Sequence, residues 1–555
     1  MNLAFLGALL AGSLPAQEPE APSSQPALEE LRAATGLAGL AFTEEELLQM
    51  VQGAASNLRS YEALRAVSLD NAVPPALLFQ AGLPGREARG WEPPAGGRVL
   101  PWLQRPADLE ELAFASLDEL GFLIRTRQVS CLELTRLFLD RLRRLDPVLR
   151  CVVHLTEERA LKQAAELDAE LEKGHYRGPL HGIPYGAKDL FAVPGYPTTW
   201  GAAPFREQDR GEELAAVIER LDRAGAVLVA KLSLGALAMG DRWFAARTRN
   251  PWNPAQGSSG SSAGSAAATA AGLVPFSLGT ETLGSIVSPC TRCGCTGLRP
   301  TFGTVSRYGA MALSWTMDKV GPICRSARDA ALVYDVLHGA DPRDPYAVDH
   351  FFRPPPPVAV QGWRIGYPAK AFEEDEAAAV VLEELRVLGV ELVPVEIPEA
   401  PVWEMMIILN AEAATAFDEL TRSDRDDELV DQGPRAWPNS FRTARLIPAV
   451  EYLRAQRLRF LLMADYDRVL DGLDALVHPS YGAGLLGITN LTGHPAVVAP
   501  AGFREDGTPR SITFTGHWFD EARLLALVEA WQAATPWEDR HPDTKALEER
   551  LPAGP

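Results

Sequence analysis

The stretch GSSGSSAGSAAATAAG, residues 257–272, decides how this sequence is read. Serine and glycine by themselves make a flexible linker. Here they run directly into an alanine-rich helix former and then into the apolar run VPFSLGT (274–280), which reads as a strand. A second turn of small residues follows, Thr282-Leu283-Gly284-Ser285. Loop, helix, strand, loop, with serines in both loops, brings two hydroxyls toward one point. The pattern predicts a reactive site and not a tether.

A serine hydroxyl is a weak nucleophile and needs a base. Gly260-Ser261-Ser262-Ala263-Gly264 matches the G-x-S-x-G elbow of α/β-hydrolases, but that motif needs a preceding strand. The upstream RTRNPWNPAQGS is polar and rich in proline, so the match is a by-product of composition. Of the nine histidines, His181, His478 and His494 sit beside small residues or proline, yet no spacing ties them to a serine, and they read as structural. The other base is a lysine kept neutral by burial. Lys188, in Gly186-Ala187-Lys188-Asp189-Leu190, lies on a strand-like apolar run where a surface lysine is out of place.

Outward from this region the texture alternates. CLELTRLFLDRLRRLDP (131–147) has the three-and-four apolar spacing of an amphipathic helix, and GPLHGIPYGAKDLFAV (178–193) reads as a strand entering a loop. Beyond the proline run at 354–357, WRIGYP and VLEELRVLGVELVPVEI read as strand, helix and strand. The alternation predicts an α/β fold with a sheet covered by helices. Residues 28–67 read as an N-terminal helical extension, with Thr43 as N-cap and Glu46 three residues later. Residues 68–106, rich in proline and glycine, read as an extended wrap over another surface.

The chain has 555 residues, 46% apolar and 23% charged, with ordinary glycine and proline usage. These values exclude collagen-like, disordered and disulfide-scaffold classes. A net charge of −20 argues against nucleic acid and anionic membranes as partners. Residues 3–16, LAFLGALLAGSLPA, are too short to span a bilayer and are expected to be a signal peptide of an exported protein, although no basic residue precedes them. Cys290, Cys293 and Cys295 have no second ligand pair at a matching spacing, so no metal is expected there.

Lys188 within GPLHGIPYGAKD, the run GSSAGSAAATAAGLVPFSLGTETLGSI (260–286), GLRPTFGTVSRYG (297–309) and NLTGHPAVVAPAGF (490–503) together resemble the amidase signature family. The resemblance covers about residues 107–545. Together with the leader read at 1–16 and the N-terminal linker and helical extension at 17–106, it sets the expected amidase signature domain at 107–545, followed by a tail at 546–555. It also implies a central mixed β-sheet covered by helices and a Ser–cis-Ser–Lys triad. By motif, Lys188 is the base, Ser261 the bridging serine with a cis peptide, and Ser285 the nucleophile. The backbone amides of Thr282, Leu283, Gly284 and Ser285 are the implied oxyanion hole. The chemistry needs no cofactor or metal, and the implied partner is a small-molecule amide. Homo-oligomerisation is left open.

Three departures from the family pattern stand out. Leu283 occupies a position usually held by glycine, Val287 replaces an arginine that often follows Ser-Ile, and the acid before the loop is Glu281 in place of aspartate. The leading expectation is a stand-alone amide hydrolase with an acyl-enzyme intermediate. A second class is the glutamine-hydrolysing component of a tRNA-dependent amidotransferase, to which SRYG (306–309) is similar; a third is a catalytically silent binding protein on the same fold. HPSYGAGLLGITNLTG (478–493) leaves little room for a long specificity loop, which makes the 68–106 wrap the segment available to cover the cleft.

Overall fold

The alternation of short apolar runs with helices closes into one mixed sheet in the computed structural model, which describes residues 26–67, 69–73, 77–85, 90–96, 100 and 102–550. The leader read at 3–16 lies outside the described residues. The strands of the sheet are β1 (Val152–Leu155), β2 (Pro184–Lys188), β3 (Val227–Leu232), β4 (Phe276–Glu281), β5 (Thr296–Arg299), β6 (Lys319–Cys324), β7 (Arg364–Tyr367), β8 (Glu391–Pro394), β9 (Ala475–Pro479), β10 (Ala496–Phe503) and β11 (Pro509–Thr515). Their spatial order is β1-β3-β2-β4-β6-β5-β10-β11-β9-β7-β8. β2 runs parallel to β3 and β4, whereas β4, β6, β5, β10 and β11 pair antiparallel in succession.

This topology positions the site. Parallel pairing sets Ala187 opposite Leu278. The carboxyl ends of β2 and β4 therefore meet at one edge, with Lys188, Thr280 and Glu281 side by side. Every residue of β2 and β3 is buried, as expected for central strands covered on both faces. The helix Ala263–Ala270, whose eight residues are all buried, lies against β2 and β4. Alanine, glycine, serine and threonine are small enough to let it approach the sheet closely. The helix Cys131–Leu149 begins at the Ser130/Glu133 capping box and buries Leu134, Phe138, Leu142, Leu145 and Leu149, the face that its spacing predicts.

Two compact units divide the chain, Met1–Asp70 and Asn71–Pro555. In the first, helices Leu28–Leu37 and Glu44–Arg65 form a pair, and Thr43 and Glu46 make the expected capping box. The described residues from 71 to 106 are part of the second unit and run over its surface as a strap. Asn71 bonds to Ala312, Phe79 packs edge-on against Phe302, and Trp91 packs edge-on against Trp363 while its amide donates to Asp520. The helical unit thus ends at Asp70, well before residue 106.

One local expectation is corrected. The polar, proline-rich stretch before Ser258 forms a small two-stranded sheet, Arg249–Asn250 with Asn253–Gly257, outside the main sheet. Asn250 and Asn253 make this turn, their side chains accepting amides two residues on. No helix among the described residues is long and apolar enough to cross a membrane.

Candidate active site

Lys188 ends β2 with its side chain fully buried. Its Nζ lies 2.8 Å from Ser261 Oγ, 2.8 Å from Thr280 Oγ1 and 3.1 Å from Ser262 Oγ. Burial pushes its pKa down to about 7, against the upward pull of the Asp318 and Glu281 carboxylates. A lysine held there is substantially neutral at neutral pH and carries a lone pair.

The two adjacent serines differ in what binds them. Ser262 Oγ donates to the Thr280 carbonyl and accepts the Thr280 amide, both at 3.1 Å, so it is committed to joining the loop to β4. Of the two serines, Ser261 Oγ lies nearer Lys188 Nζ, at 2.8 Å against 3.1 Å. The peptide bond between Gly260 and Ser261 is cis, as the family resemblance implies. Gly260 cannot be larger, because a Cβ there would stand 1.8 Å from the Gly240 carbonyl oxygen. The Ser262 amide donates to the Ser285 carbonyl at 3.2 Å, which ties the first serine loop to the second.

Ser285 closes the turn Thr282–Ser285 and is largely buried, at 8% exposed. The turn is held from below by Glu281. One carboxylate oxygen accepts the amides of Ile286 and Val287 at 2.8 and 2.9 Å. The other accepts Arg299 Nη1 at 2.8 Å and Asn490 Nδ2 at 2.7 Å. Burial raises the Glu281 pKa, but Arg299, the Val287 amide and Asn490 more than reverse this and hold it at about 2. Glu281 is therefore a charged, fully partnered anchor. At the other end of the turn, Thr282 Oγ1 donates to Asp318 Oδ1 at 2.6 Å.

The departures from the family pattern find a physical setting here. Gly284 has φ +83°, the left-handed region that glycine adopts freely, whereas Leu283 is outside that region and bears its side chain without backbone strain. Leu283 packs partly buried against the core. Val287 is buried, and the guanidinium facing Glu281 comes from Arg299 on β5.

Lys188, Ser261 and the Thr282–Ser285 turn are brought into one neighbourhood. Reading the sequence alone does not single out Thr280, Asp318, Arg299 or Asn490. Arg299 and Asn490 lie inside motifs that carry the family resemblance, so the signal exists there without a role attached to it. Beside Lys188, Asp189 makes a fully buried ion pair with Lys231 at 2.7 Å and accepts the Thr199 amide, fixing the chain that follows the base. A pocket borders this edge, walled by Leu190, Thr280, Met311, Leu313, Asp318 and, from the strap, Ala72.

The histidines stand apart. His181 bonds the Leu167 carbonyl, His478 the Pro479 carbonyl, and His494 the Thr492 hydroxyl while stacking on Trp518. Burial lowers the pKa of all three. Cys290, Cys293 and Cys295 are buried free thiols, and burial raises their pKa values.

A buried lysine–serine pair thus stands at the carboxyl edge of a mixed α/β sheet, on a loop bonded to the backbone of a second serine turn. The Amidase family model matches residues 133–489. A glutamyl-tRNA(Gln) amidotransferase subunit from Chloroflexus aggregans is 34% identical over 492 residues, covering 78% of this chain and 99% of that one. Native peptide amidase from Stenotrophomonas maltophilia superposes with a TM-score of 0.69 at 29% identity, over 78% of this chain and 98% of that one. The corresponding glutamyl-tRNA(Gln) amidotransferase subunit from Thermotoga maritima gives a TM-score of 0.65 at 26% identity, over 78% and 97%. The chain belongs to the amidase signature family, whose members hydrolyse carbon–nitrogen bonds.

Proposed function

We propose that this protein is a stand-alone amide hydrolase that works through Lys188, Ser261 and Ser285. The observation that carries the reading is the buried Lys188 Nζ at 2.8 Å from Ser261 Oγ, on a loop bonded to the backbone of Ser285. Neutral Lys188 accepts the Ser261 proton as Ser261 accepts that of Ser285. The Ser285 oxygen then bonds to the amide carbonyl carbon. Backbone amides of Thr282, Leu283, Gly284 and Ser285 stabilise the oxyanion, a contribution that in acyl transfer is often the largest electrostatic one. As the carbon–nitrogen bond breaks, Ser261 returns a proton to the leaving amine. Water, deprotonated through the same relay, releases the acid and frees Ser285.

The names of the relatives favour a second reading, a glutamine-hydrolysing component that serves an amidotransferase. Against it stands the extra chain. The Chloroflexus aggregans relative is covered over 99% of its length by 78% of this protein, which therefore carries a segment that the relative lacks. The described part of residues 71–106 docks on the protein's own surface. A catalytically silent role is disfavoured by the intact Lys188–Ser261 contact.

The test is hydrolysis by the purified chain alone. Glutamine, peptide amides, aryl amides and carbamates are offered separately, and amine or ammonia release is followed beside a Ser285→Ala control. Turnover of a non-glutamine amide that the control lacks supports the proposal. Glutamine as the sole amide hydrolysed, with turnover rising on adding the other components of an amidotransferase, would favour the second reading.

A further inference from the structure

We propose that Asn71, at the head of the strap, is a positioning residue for the Thr282–Ser285 turn, acting through the segment Ala312–Asp318. The inference rests on the reading of Ser285 as nucleophile, and it assigns to the strap a part in the site. Asn71 grips the backbone of one residue, Ala312, at both its N–H and its carbonyl. Its Oδ1 accepts the Ala312 amide at 2.6 Å, and its Nδ2 donates to the Ala312 carbonyl at 2.9 Å and to the Ala416 carbonyl at 3.4 Å. A side-chain amide used this way imitates a neighbouring β-strand and holds Ala312 in register.

The next links are short. The amides of Leu313 and Ser314, directly after Ala312, donate to Asp318 Oδ2 at 2.8 and 3.0 Å. The other oxygen of that carboxylate accepts the Thr282 hydroxyl at 2.6 Å. Thr282 is the first residue of the turn that ends in Ser285. The far side of the segment is held independently, with Glu412 accepting the Ser314 hydroxyl and the Thr316 amide at 2.7 and 3.1 Å. Asn71 thus braces the end of the segment that leads into Asp318's two amide donors. Ala72, its neighbour, walls the same pocket as Thr280 and Asp318. A displacement of even part of an ångström at an oxyanion turn is expensive in rate.

The experiment compares wild type, Asn71→Ala and Trp91→Ala in the full chain. Trp91 is also on the strap but packs edge-on against Trp363, with its amide on Asp520, both outside the segment Ala312–Asp318. Two quantities are read: the second-order rate of fluorophosphonate labelling at Ser285, and amide hydrogen exchange in the peptide spanning 280–287. For Asn71→Ala, labelling slows on the order of tenfold and exchange in 280–287 quickens. For Trp91→Ala, thermal stability falls while both readings stay at the wild-type values. Wild-type labelling and exchange in Asn71→Ala overturn the inference, as does an equal change in both variants, which is general loosening. If wild type takes no label, the amide-hydrolase reading fails. The exchange comparison then decides the inference alone, and unchanged exchange in Asn71→Ala refutes it.

Discussion

In the proposed relay Lys188 must shed a proton before it can accept one, and burial is the means. With its pKa pushed down to about 7, the acid limb of the rate profile is expected near that pH, with activity rising as pH increases through it. Stability follows the same sign. The unfolded chain keeps this lysine protonated up to its ordinary value of about 10.4, so between there and about 7 the unfolded state binds the extra proton. Folding stability therefore rises with pH across that window, and the full penalty is present below it. Lys188→Met should remove this slope in denaturant titrations run at several pH values, and should lower hydrolysis on the order of 10³-fold or more. A wild-type acid limb retained in that variant contradicts the assignment. The pair of serines gives a second comparison. Ser261→Ala should abolish turnover with little loss of stability. Ser262→Ala, which strips two buried partners from Thr280, should cost about 1–3 kcal/mol while keeping most of the activity. Equal loss of turnover in both variants contradicts the distinction. Lys188 and the two serine loops were legible because each stands out locally, a charge in an apolar run and hydroxyls around an alanine helix. Arg299 and Asn490 were not, because they reach Glu281 from 18 and 209 residues away.

Among the elements, the turn after β4 is where separate strands and helices converge. Glu281 on β4 gathers Arg299 from β5, Asn490 from the helix Leu485–Thr492, and the first amides of the helix Val287–Cys293. A buried charge deprived of its partner is costly. Glu281→Gln should therefore destabilise by about 3 kcal/mol, read as a lower unfolding midpoint, and should slow labelling of Ser285 in the fraction that remains folded. A stable variant with normal labelling contradicts the role of this anchor. The strands and the alanine helix follow from apolar spacing and small-residue runs. The hairpin of Arg249–Asn250 with Asn253–Gly257 escaped that reading because turn-forming asparagines, and not an apolar alternation, make it.

At the scale of the molecule, the proline- and glycine-rich composition of 68–106 announced a wrap but could not say where it lands. Its contacts join residues as distant as Trp91 and Asp520, 429 positions apart, and composition carries no register for such pairs. The same limit explains the boundary. The change in texture near 107 marks where regular helices and strands resume, whereas contacts place the division after Asp70. Pockets reflect this arrangement too, since strap residues 78–84 wall one cavity with Arg459 and Trp518, and Ala72 walls the one beside Thr280.

The central claim is that Ser285 is activated by Lys188 through Ser261. Intact-mass measurement of the purified chain before and after a fluorophosphonate probe tests it most directly, with Ser285→Ala and Lys188→Met treated alongside. The account predicts one adduct on wild type, none on Ser285→Ala and strongly slowed labelling of Lys188→Met. An adduct that persists on Ser285→Ala, or wild-type labelling of Lys188→Met, would contradict it.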